Sequence, residues 1–196
     1  MRVIAGSRRS LPLKAPKTAD TRPTTDRIKE TLFNILNPLI PGARFLDLFS
    51  GSGGIGIEAL SRGASKAVFV EKNLEAASVI RDNLKFTKLS DVGELIRKDV
   101  LSAITELEER HETFDVVFMD PPYGTGLDLE TLGRLHHSSV IDAHTLLITE
   151  ASIDADPAAY SSIGYRIERD KRYKTNRHFF MRMISSDEEE HKNGRE

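Results

Sequence analysis

Two short segments of this sequence carry residue types that can do chemistry together. The first is Asp47-Leu48-Phe49-Ser50-Gly51-Ser52-Gly53-Gly54-Ile55-Gly56, whose glycines at 51, 53 and 56 fit the G-x-G-x-x-G spacing. Without β-carbons, such a loop turns sharply and lets the backbone approach a ligand closely. The spacing alone is shared with NAD-binding folds. Glu71, twenty positions after Gly51, does not separate the cases, because a carboxylate there can hold ribose hydroxyls of either NAD or S-adenosylmethionine. Asp47 shifts the balance. Four residues ahead of the first glycine it can meet the ammonium group of S-adenosylmethionine, whereas it would repel the pyrophosphate of NAD. Asp99 is placed to accept from an adenine amino group, or equally to cap the helix that starts near Val100.

The second segment is Asp120-Pro121-Pro122-Tyr123, directly behind the apolar run Phe114–Met119. Two consecutive prolines cannot continue a sheet ladder and hold the backbone in an extended turn. An exocyclic amine on a nucleobase is a weak nucleophile, because its lone pair is delocalised into the ring. The Asp120 carboxylate and the Pro121 carbonyl can orient such an amine and stabilise the positive charge that develops on nitrogen during methyl transfer. Tyr123 can stack on a base taken out of its own stack. Asp120, Pro121 and Tyr123 are therefore the candidate catalytic residues.

The elements that must position these segments alternate strand and helix. A helix runs from a cap at Thr24 or Thr25 to about Leu36, with Ile28, Leu32, Ile35 and Leu36 on one face. Strands are predicted at 44–48, 66–70, 92–98, 114–119 and 144–149, with helices over the glycine loop to about Arg62, from Leu74 to Phe86 behind an Asn73 cap, over 100–110 and over 127–138. The 152–162 stretch is polar, and two final strands, 165–169 and 178–183, form a hairpin around Lys174-Thr175-Asn176. This order calls for an α/β fold with a mostly parallel sheet and helices on both faces. The domain reading is an N-terminal hairpin and helix over 1–36, a catalytic domain over 37–184 and a disordered polar tail from 185.

Composition excludes several classes. There is no cysteine, so disulfides, thiolate catalysis and iron–sulfur clusters are ruled out, and the six histidines show no metal-ligand spacing. No apolar run approaches the roughly 20 residues that span a bilayer, and the N-terminus lacks a secretory signal, so a cytoplasmic protein is expected. The net charge is only −2, but residues 1–30 and 166–182 each carry a surplus of +5. These two basic ends would form one phosphate-binding surface if they met in space.

The chain resembles the RsmD family, bacterial methyltransferases of guanine N2 in 16S ribosomal RNA. The likeness rests on Met1 to Gly6, on Thr21-Arg22-Pro23-Thr24 with Arg27, Lys29, Glu30 and Leu32 to Leu36, on Leu46 to Gly53, on Glu58 to Ala64, on Phe69-Val70-Glu71 and on Asp120 to Tyr123. It implies a Rossmann-like class I S-adenosylmethionine-dependent methyltransferase with a seven-stranded sheet, the last strand antiparallel, and a small N-terminal appendage that engages RNA. By the same resemblance Asp47, Gly51, Gly53, Glu71 and Asp99 bind the cofactor, and Asp120, Pro121 and Tyr123 hold the guanine. Arg22 and Thr24 lie near the active site, while Arg8, Arg9 and Lys14 contact phosphate. The expected partner is 16S rRNA within the small subunit or its assembly intermediate, met by a monomer. Family members often show Tyr-Gly in the closing hairpin, whereas here Tyr173 is followed by Lys174. The competing readings are a nucleobase amino-methyltransferase of adenine N6, a non-catalytic ribosome-assembly factor and an NAD-dependent dehydrogenase.

Overall fold

The structure is a computed structural model that describes residues 1–16 and 26–184. The helix cap at Thr24 or Thr25, the Arg22–Thr24 block and the polar tail lie outside the described residues. Seven strands form one sheet in the order β3-β2-β1-β4-β5-β7-β6: β1 (Arg44–Leu48), β2 (Lys66–Val70), β3 (Gly93–Ile96), β4 (Val116–Met119), β5 (Leu146–Ser152), β6 (Tyr165–Arg172) and β7 (Asn176–Met183). The first five are parallel, and β7 pairs antiparallel with both β5 and β6.

Successive strand residues face opposite sides of the sheet, so each apolar strand feeds two cores. Phe45, Phe69, Val116, Phe118 and Ile148 face one core, which they share with α1 (Asp26–Leu36), α2 (Gly54–Ser61) and α3 (Leu74–Thr87). Leu46, Val68, Val117, Met119 and Leu147 face the other, covered by α4 (Val100–Glu109), α5 (Leu127–His136) and α6 (Pro157–Ser161). Burial on both faces is why 114–119 reads as a nearly continuous apolar run, interrupted only by the exposed Asp115 ahead of β4.

The N-terminal residues form a small closed loop around a 3-10 turn at Gly6–Arg8, with a bridge between Arg2 and Pro12. Val3 and Leu13 are buried in the first core beside Leu32 and Phe33, so this loop packs with the sheet's own helices. Glu58 of α2 fastens it: its carboxylate accepts from the backbone N–H of Ile4 and Ala5, at 2.8 and 3.0 Å, and from Arg62 Nε at 2.8 Å. Lys29 of α1, also buried, lies 3.3 Å from the same carboxylate and donates to the Arg2 carbonyl.

Several boundaries differ from the sequence reading for local reasons. Strand β5 starts at Leu146 because the Asp142 side chain accepts from the N–H groups of His144 and Thr145 and folds them into a turn. Helix α6 interrupts the polar 152–162 stretch, nucleated by an Asp156 cap on Ala158 N–H and by Pro157 at its first position. The hairpin between β6 and β7 closes with Tyr173 N–H donating to the Asn176 carbonyl. Among the described residues the non-glycine positive φ angles are at Ser10, Phe49, Lys88 and His111. Lys174 is not one of them, so its turn needs no glycine.

The strand order reverses between β1 and β4, and the two are paired with Leu48 opposite Met119. In open α/β sheets the crevice beyond the carboxyl ends at such a reversal is where ligands bind. The glycine loop and the Asp-Pro-Pro-Tyr element leave the sheet side by side at that point.

Candidate active site

The loop after β1 is held from below and from the side. Asp47 is buried (1% exposed), and its Oδ2 accepts from Gly56 N–H at 2.9 Å, tying the end of β1 to the first turn of α2. Ser50 N–H donates to the Val70 carbonyl, and Gly53 N–H to the Ser50 carbonyl. Glu71 closes the edge: Oε2 accepts from Gly51 N–H at 2.9 Å and Oε1 from Asn73 N–H at 2.7 Å. Gly51 and Gly53 have φ of +55° and +76°, in the left-handed region that glycine reaches without strain. A Cβ on Gly51 would meet nothing within 4 Å, so the backbone there borders open space. At Gly56 a Cβ would sit 2.3 Å from Phe69 Cε1, and that glycine serves close packing of α2 on the sheet.

Beside this loop, Asp120 leaves the end of β4 partly accessible and Pro121 is buried, while Tyr123 is half exposed. Pro121, Pro122, Tyr123, Leu129 and Tyr160, with Glu150, wall a cleft of about 290 Å³. The Tyr123 hydroxyl donates to Glu150 Oε1 at 3.0 Å. Asn176 Nδ2 donates to the same oxygen at 2.5 Å, and His178 Nε2 lies 3.0 Å from Oε2.

Electrostatically the floor of the crevice is acidic. Burial, opposed by the Gly56 hydrogen bond and assisted by Glu71, pushes the Asp47 carboxyl up to about 7. Burial, and then the neighbouring charges of Glu150 and Asp47, raise Asp120 well above the ordinary carboxylate range. Burial would also raise Glu150, but its bonds from His178, Tyr123 and Asn176 together hold it below its usual value. Among the described residues no Lys or Arg forms an ion pair with Asp47, Glu71 or Asp120. A group of three carboxylates without a cation is arranged for a cationic or hydrogen-donating ligand.

The comparisons with known proteins agree with this geometry. A family described as "Conserved hypothetical protein 95" matches residues 1–182. The ribosomal RNA small subunit methyltransferase D of Escherichia coli K12 is 34% identical over 154 residues, 79% of this chain and 76% of that one. The chain belongs to the RsmD family. Among solved structures, the Escherichia coli protein yhhF superposes with a TM-score of 0.80 at 30% identity, covering 95% of this chain and 99% of that one. A Streptococcus mutans protein described as a sam-dependent methyltransferase gives 0.65 at 14% identity over 79% of this chain and 48% of its own, a likeness of fold alone. The Rossmann-like class I methyltransferase sheet expected from the sequence is the observed one.

Within this RsmD-family chain, the structure brings Asp47, Gly51, Gly53 and Glu71 together with Asp120, Pro121 and Tyr123 at one end of the sheet. Asp99 is exposed and caps α4 by accepting from Ser102 N–H at 3.0 Å. The described part of the phosphate-contact set is uneven. Arg9 is exposed, Arg8 is half-buried, and Lys14 forms an ion pair with Asp82 at 2.7 Å. The second basic set lies on β6 and β7, at the opposite end of the sheet order from β3, and its own acids offset much of it: Asp170 with Arg172 and Arg177, Glu168 with Arg166 and Arg182. Arg177 is buried.

Sequence reasoning missed Glu150, Asn176 and His178. The available signal was an acid closing the run Leu146–Thr149, and an asparagine and a histidine just ahead of the apolar Phe179–Met181. In the sequence His178 has no metal-ligand spacing and opens the predicted strand 178–183, and neither feature marks it for the site. No group of described residues is arranged to hold a metal ion, and no described helix is long and apolar enough to cross a membrane.

Proposed function

We propose that this chain transfers a methyl group from S-adenosylmethionine to the exocyclic N2 amine of a guanine in small-subunit ribosomal RNA. The observation that carries the reading is the juxtaposition at the β1/β4 reversal of a glycine loop braced by Asp47 and Glu71 with the Asp120–Tyr123 element, around carboxylates that no described cation pairs with. The donor set fits the cofactor. The cation-free carboxylates suit its ammonium and sulfonium charges, Glu71 retains acceptor capacity for ribose hydroxyls, and the open space at Gly51 admits close approach to backbone. S-adenosylmethionine, when bound, supplies an electrophilic methyl group on sulfur.

The protein's own contribution is orientation and charge. Asp120 and the Pro121 carbonyl are both acceptors on a turn that two prolines keep rigid, and they hold an amine by its two N–H groups. As positive charge grows on that nitrogen, the Asp120 carboxylate stabilises it and accepts the departing proton. These two acceptors suit the exocyclic amine of either purine, and guanine is proposed from the resemblance to the RsmD family. Tyr123 offers its exposed ring face for stacking.

The RNA substrate follows from family membership and from the names of the relatives. Mass spectrometry of rRNA nucleosides from cells with and without the gene, with the position mapped, tests it. Loss of one N2-methylguanine from small-subunit RNA is the expected result; an unchanged set, or loss of N6-methyladenine instead, would overturn it.

A further inference from the structure

Glu150 is buried, carries three hydrogen-bond partners and belongs to neither of the segments that the proposed chemistry draws on. It stands directly opposite His178 in the antiparallel pairing of β5 with β7, so the two side chains meet across the ladder. His178 is itself hemmed by the edges of Phe118 and Tyr173, with ring centroids at 6.0 and 5.0 Å. A buried carboxylate held this way is weak evidence for stability, because desolvation offsets most of the attraction. Geometric control explains it better. Of the three donors, Asn176 and His178 are buried strand residues, and only Tyr123 comes from an exposed turn. The fixed pair therefore determines where the carboxylate sits, and the carboxylate determines where the tyrosine hydroxyl sits. Pinning the hydroxyl leaves the ring half exposed at the cleft while removing its freedom to swing.

We propose that Glu150, clamped by Asn176 and His178 of β7, is a positioning residue that holds the Tyr123 ring against the substrate base. The assignment rests on the function proposed above, and through it the closing hairpin, remote in sequence from the Asp-Pro-Pro-Tyr element, becomes part of the base-binding apparatus. Glu150→Gln is the informative variant. The amide keeps the size of the side chain but turns the charged acceptor into a neutral, weaker one whose single oxygen Tyr123 must share with Asn176, and its NH2 can face His178 if that ring moves its proton to Nδ1, which has no partner in the structure.

The test has two arms. In the first, the protein is labelled with fluorotyrosine and the Tyr123 signal is assigned by its loss in Tyr123→Phe. In Glu150→Gln that signal should shift and narrow as the ring gains motion. An unchanged signal would overturn the proposal, whatever the reaction proves to be. In the second, methyl transfer to small subunits lacking the mark is measured for Tyr123→Phe, Glu150→Gln and the double variant. Each single change should lower kcat about tenfold, the size expected for one charge-assisted hydrogen bond, and the double variant should be no worse than either single one. Multiplying effects would mean that Glu150 does not act through Tyr123, and full kcat in Tyr123→Phe would overturn the proposal even if Glu150→Gln failed to fold. Failure of the wild-type protein to transfer methyl groups at all, with the fluorine result as expected, would sink the proposed function and leave the clamp standing.

Discussion

Replacing Asp47 by Asn should make the ligand-free protein more stable at neutral pH, and the structure gives the size of the effect. The Asp47 carboxyl is buried, and burial moves its ionisation from the ordinary 3.8 to about 7. Between those two values the folded protein keeps a proton that the unfolded chain has released, so stability falls as pH rises. The penalty is absent below about pH 4, where both states are protonated, and complete above about pH 7, where both are ionised. Roughly three pH units at about 1.4 kcal/mol each give a penalty on the order of 4 kcal/mol. Asp120, raised by burial and by Glu150, acts with the same sign over a window that reaches higher. Asparagine preserves the size of the side chain and an oxygen for Gly56 N–H, but carries no proton to lose. Urea unfolding across this pH range should show the wild-type stability descending and the Asp47→Asn stability descending much less, with the two converging in acid. The same carboxylate is assigned to a cationic cofactor, so S-adenosylmethionine should bind the wild-type protein more tightly as pH rises to neutrality, and Asp47→Asn should lose both affinity and that trend. Parallel stability curves for the two proteins would refute the reasoning, because the buried proton would then not reside on Asp47.

Other consequences can be checked as directly. Asp120→Ala should leave cofactor binding, measured by calorimetry, within a few-fold of wild type while lowering methyl transfer by about a hundredfold or more; full activity would remove Asp120 from the mechanism. Gly56→Ala should cost about 1–3 kcal/mol in urea unfolding, because the new methyl would collide with the buried Phe69 ring, and an unchanged midpoint would contradict the packing described. Glu58→Gln leaves Lys29 and Arg62 without their carboxylate, so a loss of about 3–5 kcal/mol is expected, with proteolysis of the N-terminal loop well before the sheet; simultaneous cleavage would argue against its role as the fastener. Arg9→Ala should weaken RNA binding and lower the salt dependence of its logarithm by about 1; an unaltered slope would show that this exposed arginine does not touch phosphate.

The sequence alone determined most of the strand and helix order and the two chemical segments, because each is encoded locally. Glycine spacing, a proline pair and apolar periodicity act over a few residues, and the parallel sheet follows from their alternation. It left Asp99 open between cofactor contact and helix cap, since both ask for the same carboxylate at the same place; the described geometry shows the cap. Tertiary structure alone decided the rest. The direction of the Asp47 side chain, beneath the loop toward Gly56, depends on which face of β1 meets α2. The pairing of the second basic set with its own acids depends on the β6–β7 register, which charge counting cannot see. The grip of Glu150 on Tyr123 depends on β7 inserting antiparallel between β5 and β6, which sets His178 opposite a residue 28 positions away. Contacts of that kind are fixed by the packing of whole strands rather than by any pattern along the chain, and so they become readable only once the sheet is assembled.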